Sequence, residues 1–120
     1  MSTTLIRTNE IPRTRVDGQG EVAEILNDRL CGAKNVVGKL RWLEPGDRYE
    51  AEPLEATHQL LYLMDGDGVV TLNGKDYDVT KGAGVYLGPS ETAAIAQRGT
   101  APLKLFQLIV PIKKELQLDS

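Results

Sequence analysis

Cysteine and histidine are almost missing from this chain, which has one of each, Cys31 and His58. A single cysteine excludes an internal disulfide framework. Cys31 as a nucleophile would need an activating base; beside Gly32 it reads more simply as a small residue in a turn. Runs of basic charge are missing too. The net charge is −3 and no basic run exceeds Lys113-Lys114, which argues against the electrostatic footprint of a nucleic-acid binder. No apolar stretch approaches the roughly 18 residues of a membrane span, so no membrane partner is expected. Met1-Ser2-Thr3-Thr4-Leu5 opens without the apolar core of an export signal, and a reduced, cytoplasmic protein is the expectation.

What is present is a globular balance, with 41% hydrophobic and 26% charged residues over 120, enough for one buried core. Residues 1–20, with Pro12, Gly18 and Gly20, read as an N-terminal arm. Residues 21–112 read as one domain and 113–120 as a tail, where Ile112 to Leu118 has the only helix-forming composition. From Glu21 onward short apolar runs alternate with turn residues, the pattern of an all-β barrel or sandwich. Strands are expected at Val22–Leu26, Val36–Leu43, Leu60–Met64, Val69–Leu72, Lys75–Val79, Val85–Leu87, Thr92–Gln97 and Leu103–Val110. Asn73-Gly74 has the residues of a type I′ hairpin turn, whose two central positions both need φ > 0. That turn places Val70 opposite Tyr77 and Thr71 opposite Asp76. Val70, Leu72, Tyr77 and Val79 then share one face, and Thr71, Asp76 and Asp78 the other.

The segment from Pro45 to Pro111 resembles a cupin domain. It has Gly46, five residues, Glu52-Pro53-Leu54, four residues, Gln59, six residues and Gly66. It then has Gly82, five residues, Gly88-Pro89-Ser90, two residues, Ala93, three residues and Gln97. Both are the cupin motif spacings, with the framing glycines Gly46, Gly66 and Gly82 in place. The resemblance implies an all-β, cupin-type double-stranded β-helix, a jelly-roll barrel. It also implies where a metal would sit, at Glu52, Leu54, Gln59 and Ala93. Leu54 and Ala93 offer no lone pair and Gln59 is a weak ligand, because transition metals favour imidazole and carboxylate. One histidine cannot replace the imidazoles such sites use. No metal and no cofactor are therefore expected, and the oxygenase and isomerase chemistry of metal-bearing cupins is not carried over.

Several polar residues are candidates for a site. Glu52, mapped to the first ligand position, is expected in a cavity with Leu54 and Ala93. There its pKa would rise and suit it to proton transfer, although with Glu50 and Glu55 it also reads as a solvated acidic loop. Gln59, Gln97 and Gln107 can orient a ligand or act as satisfied core amides. His58, the remaining candidate contact, should face opposite to Gln59 and so out of the barrel. Lys39 and Arg41 share one face of their strand, against Val36, Leu40 and Trp42. They are either its wet face or, turned inward, a place where Arg41 binds a carboxylate or phosphate. Tyr49, Tyr62 and Tyr86 read equally as packing or pocket residues.

The function expected is a metal-independent small-molecule enzyme, an isomerase, epimerase, lyase or cyclase using acid–base chemistry. The alternative is a non-catalytic, ligand-binding or regulatory cupin. A homodimer is expected, since cupin barrels leave sheet edges and an apolar outer face.

Overall fold

In a computed structural model, residues 5–27 and 36–111 are described. Cys31 and the tail from Ile112 lie outside them. The described residues form ten strands and a single 3-10 turn at Thr8–Glu10. The strands are β1 (Thr14–Val16), β2 (Gly20–Leu26), β3 (Val37–Leu43), β4 (Arg48–Glu50) and β5 (Thr57–Asp65), followed by β6 (Asp67–Leu72), β7 (Lys75–Thr80), β8 (Gly84–Leu87), β9 (Ala94–Arg98) and β10 (Leu103–Pro111). Every pairing is antiparallel. A six-stranded sheet runs β1-β2-β3-β10-β5-β8 and a four-stranded sheet β4-β9-β6-β7. The result is the jelly-roll barrel expected from the sequence.

Alternation in the strands explains how the sheets close on one another. β5 reads buried at Thr57, Gln59, Leu61 and Leu63 and exposed at His58, Leu60 and Tyr62, the period of two that puts one face into a core. Leu43, Leu61, Leu63, Leu103 and Leu105 from one sheet meet Val70 and Ile95 from the other. Any void among Leu61, Leu63, Val70, Ile95 and Leu105 is about 10 Å³, no larger than a single water. This end of the barrel is filled.

The β6–β7 hairpin has the expected register: Leu72 faces Lys75, Thr71 faces Asp76 and Val70 faces Tyr77. Asn73 and Gly74 both take positive φ, 52° and 77°. The Thr71 hydroxyl donates to Asp76 Oδ1 across the turn at 2.6 Å.

Two strands were not expected. β1 lies inside the segment read as an arm and pairs with β2. β4 is only three residues long, too short for a periodicity to show, and pairs with β9. The arm is held at its base, where Arg15 makes two bonds to the buried carboxylate of Asp47, Nη1–Oδ2 3.1 Å and Nη2–Oδ1 2.9 Å. Arg48 N–H donates to Gly18 O at 2.9 Å, and the Arg13 guanidinium stacks 3.7 Å from the centre of the Trp42 ring.

Candidate functional site

Three neighbouring strands of the large sheet carry the same change along their inward faces. The register aligns Leu43 with Leu103, then Arg41 with Leu105 and Leu63, then Lys39 with Gln107 and Leu61, then Ile109 with Gln59. Residues directly opposite in an antiparallel ladder share a face. Leucine therefore fills one end of the barrel, while Arg41, Lys39, Gln107 and Gln59 turn inward toward the other. The charged face of β3 is the inner one, so the wet-face reading of Lys39 and Arg41 is corrected. Leu40 and Trp42 point to the outer side, where Leu40 is covered by its position between Ala23 and Phe106.

Arg41 is 6% exposed. Its Nη1 donates to the Gln19 carbonyl at 2.9 Å, its guanidinium carbon lies 3.8 Å from the centre of the Tyr49 ring, and its Nε–H has no hydrogen-bond partner. Burial pushes its pKa down, with Tyr49 acting weakly in the other direction. An arginine stays charged in proteins, so this is a buried cation with its Nε–H unanswered and, among the described residues, no carboxylate bonded to it. It lines a cleft of about 600 Å³ together with Lys39, Gln19, Tyr49, Thr92 and two acidic residues, Glu50 and Glu52.

Beneath the cleft runs a chain of buried hydrogen bonds. Tyr49 Oη donates to Gln107 Oε1 at 3.1 Å, Gln107 Nε2 donates to Gln59 Oε1 at 2.9 Å, and Gln59 Nε2 donates to the Glu52 carbonyl at 2.8 Å. Both glutamines are 2% exposed. They are the inward amides the sequence suggested, and here they are bonded to each other.

The other candidates are placed differently. Glu52 does not sit in an apolar pocket. The alternation that buries Tyr49 and Ala51 turns Glu50 and Glu52 outward, and the Glu52 carboxylate stands exposed on the rim of the Arg41 cleft. Ala51 takes the inward place instead, its N–H bonded to the Ala93 carbonyl. His58 faces out, with Nδ1 2.6 Å from the Tyr86 hydroxyl. Gln97 is bonded to the Gly99 and Ala101 carbonyls and does not line the cleft. Tyr62 and Tyr86 are exposed on the outer face. The structure thus brings Arg41, Gln59, Gln107 and the Glu52 segment together and leaves His58 and Gln97 apart. Tyr49, which read from the sequence equally as a packing or a pocket residue, stands at the centre. Its signal was the alternation Arg48-Tyr49-Glu50-Ala51, too brief to read as a strand.

The four cupin metal positions do not fit a transition metal. Glu52 turns outward, Leu54 and Ala93 have no donor atom, and both amide atoms of Gln59 are already bonded. Among the described residues, no group of three or more His, Cys, Asp or Glu could hold a metal ion.

Two antiparallel sheets closed into this barrel, with the motif spacing around Gly46, Gly66 and Gly82, make the chain a protein of cupin fold. No family model matches the sequence. It is 26% identical over 112 residues to an oxalate-binding protein of Thermotoga maritima, covering 88% of this chain and 93% of that one. Among solved structures it is similar to a predicted oxalate decarboxylase from Thermotoga maritima, with TM-score 0.77, 24% identity, and 91% of this chain and 100% of that one covered. It is also similar to KdgF from a Halomonas species, TM-score 0.76 and 12% identity over 96% and 99%. The cupin domain of Schizosaccharomyces pombe Cnp3 gives 0.73 and 11% over 92% and 76%.

Proposed function

We propose that this protein binds a small organic acid of the short dicarboxylate type in the cleft over Arg41. The observation that carries this reading is the buried guanidinium lining the cleft with, among the described residues, no acid bonded to it. Leaving a buried charge uncompensated is costly, and a carboxylate in the cleft would answer it with a charge-assisted bond. Lys39 lies two residues along the same inward face, roughly 6.6 Å away along the strand, a spacing that suits the second carboxylate of a short diacid. The similarity to an oxalate-binding protein supports the same ligand class.

Calorimetry with oxalate, malonate and succinate, set against acetate and inorganic phosphate, tests this. The diacids should bind. Arg41→Ala should weaken them by about 10- to 150-fold, the equivalent of losing one hydrogen bond to a charged group. Equal affinity in the wild type and Arg41→Ala would remove the reading.

The acid–base enzyme expected from the sequence is the second reading. It is favoured by Glu52 standing on the rim of the same cleft as Arg41 and Lys39, where a carboxylate can take a proton from carbon next to a bound acid. Deuterium exchange into malonate methylene faster than the uncatalysed rate, and its loss in Glu52→Gln, would establish that role. A bound diacid that exchanges no faster than in buffer would leave the protein a binder. The assembly proposed for it is a homodimer.

A further inference from the structure

We propose that Gln59 and Gln107, acting through Tyr49, are positioning residues that fix the Arg41 guanidinium in the plane in which it meets a carboxylate; this rests on the anion site proposed above. Neither amide lines the cleft, so neither is offered as a ligand contact. What they do is set the direction of a hydrogen-bonded chain. The Glu52 carbonyl can only accept, so the Gln59 NH2 must point to it. The Gln59 oxygen must then face Gln107, whose NH2 donates to it. The Gln107 oxygen is left for Tyr49, whose hydroxyl must donate. No member can flip without placing acceptor against acceptor or donor against donor.

That order gives the Tyr49 hydroxyl a fixed acceptor and holds the far end of the ring in place, and Arg41 lies on the ring face. One edge of the guanidinium is tied to the Gln19 carbonyl and its face rests on Tyr49. The guanidinium plane can tilt only by rotation about the side-chain bonds that lead to Nε, and the ring face opposes that tilt. The chain begins at Glu52, on the rim, and ends under Arg41, on the floor. Rim and floor are therefore held as one unit by side chains from β4, β5 and β10. The inward positions beside them include Leu61, Leu105 and Ile109, which pack without needing a partner. Two buried amides in that row are costly unless fully bonded, and here their order serves the cation.

Two variants test this, read in the ligand-free protein from the Arg41 Nε–H resonance in proton–nitrogen NMR and, separately, from oxalate affinity. Gln59→Leu is of similar volume, lies at the far end of the chain from Arg41, and removes the order while filling the space. It should displace the Arg41 resonance and weaken oxalate by about tenfold. Gln107→Glu replaces one NH2 by oxygen. At neutral pH it should displace the resonance and weaken oxalate; as pH falls and the new carboxyl takes a proton it can again donate to Gln59, and both should return toward wild type. Lost thermal stability alone, with an unmoved Arg41 resonance and unchanged oxalate affinity in both variants, would overturn the proposal and leave the amides as core fillers. A wild type that ignores oxalate while Gln59→Leu still displaces the resonance would support the positioning role and count against the anion site, which keeps the two failures apart.

Discussion

Asp47 is the buried carboxylate on which acidification should act. Arg15 bonds it twice, and this, with the Glu44 N–H at 2.9 Å, holds its carboxyl below the ordinary aspartate value. The folded state therefore favours the ionised form, and the unfolded chain binds the extra proton. The stabilisation is fully present above about pH 3.9, the unfolded aspartate value, and is lost as pH falls through the depressed folded value. Asp47→Asn should be less stable than wild type in urea titrations near neutrality, with the gap closing as pH is lowered into the acid range. A constant gap would mean that the pair contributes nothing through its charge. The residue scale is also where the sequence was least informative. Asp47 has no pattern of its own; its role depends on Arg15, 32 residues earlier, and nothing local announces such a pair. Glu52 was misplaced for a related reason. Motif spacing addresses only its backbone, whereas the direction of its side chain follows the short β4 alternation.

At the scale of elements, turn chemistry was the most legible feature, because it is written in the residues that must take positive φ. Asn73-Gly74 specified the β6–β7 register completely, since a two-residue turn leaves the partners no freedom. The long strands were legible from their alternation, whereas β1 and β4 offered too few residues for a period to register. Two glycines allow the backbone requirement to be separated from the spatial one. Gly74 has φ 77° with nothing within 4 Å of where a Cβ would sit, while at Gly66, φ 87°, a Cβ would lie 2.6 Å from the Pro102 carbonyl oxygen and 2.9 Å from Leu103 Cα. Gly74→Ala should cost about 1–2 kcal/mol, the strain of a left-handed L-residue. Gly66→Ala should cost more, since backbone has to move to admit the methyl group. Urea unfolding of the two variants checks the order, and equal losses would show that the β5–β6 corner yields freely. In the core, Leu63→Ala, from a position 1% exposed, should cost about 2–5 kcal/mol.

At the scale of the whole molecule, the described residues leave a surface unexplained by their own fold. An antiparallel sheet with one face in the core ordinarily turns polar residues outward. β5 and β10 instead turn out Leu60, Tyr62, Phe106 and Leu108, with Tyr62 facing Phe106 and Leu60 facing both Leu108 and Tyr86 across the ladder. Leu60, Tyr62 and Tyr86 are 38%, 41% and 60% exposed. The occupant proposed for this face is a second copy of the chain. No formally charged side chain stands among these five, so the patch has nothing to draw an acidic or basic partner. A two-fold axis through it sets apolar rows against themselves with no like charges opposed. Light scattering at micromolar concentration should give twice the 13.1 kDa chain mass. Tyr62→Glu brings two carboxylates together across the axis and should return the mass to that of one chain. It should leave oxalate affinity unchanged, because Arg41 and its cleft lie on the opposite face of the sheet. A wild type that scatters as a single chain would exclude the second copy as the occupant.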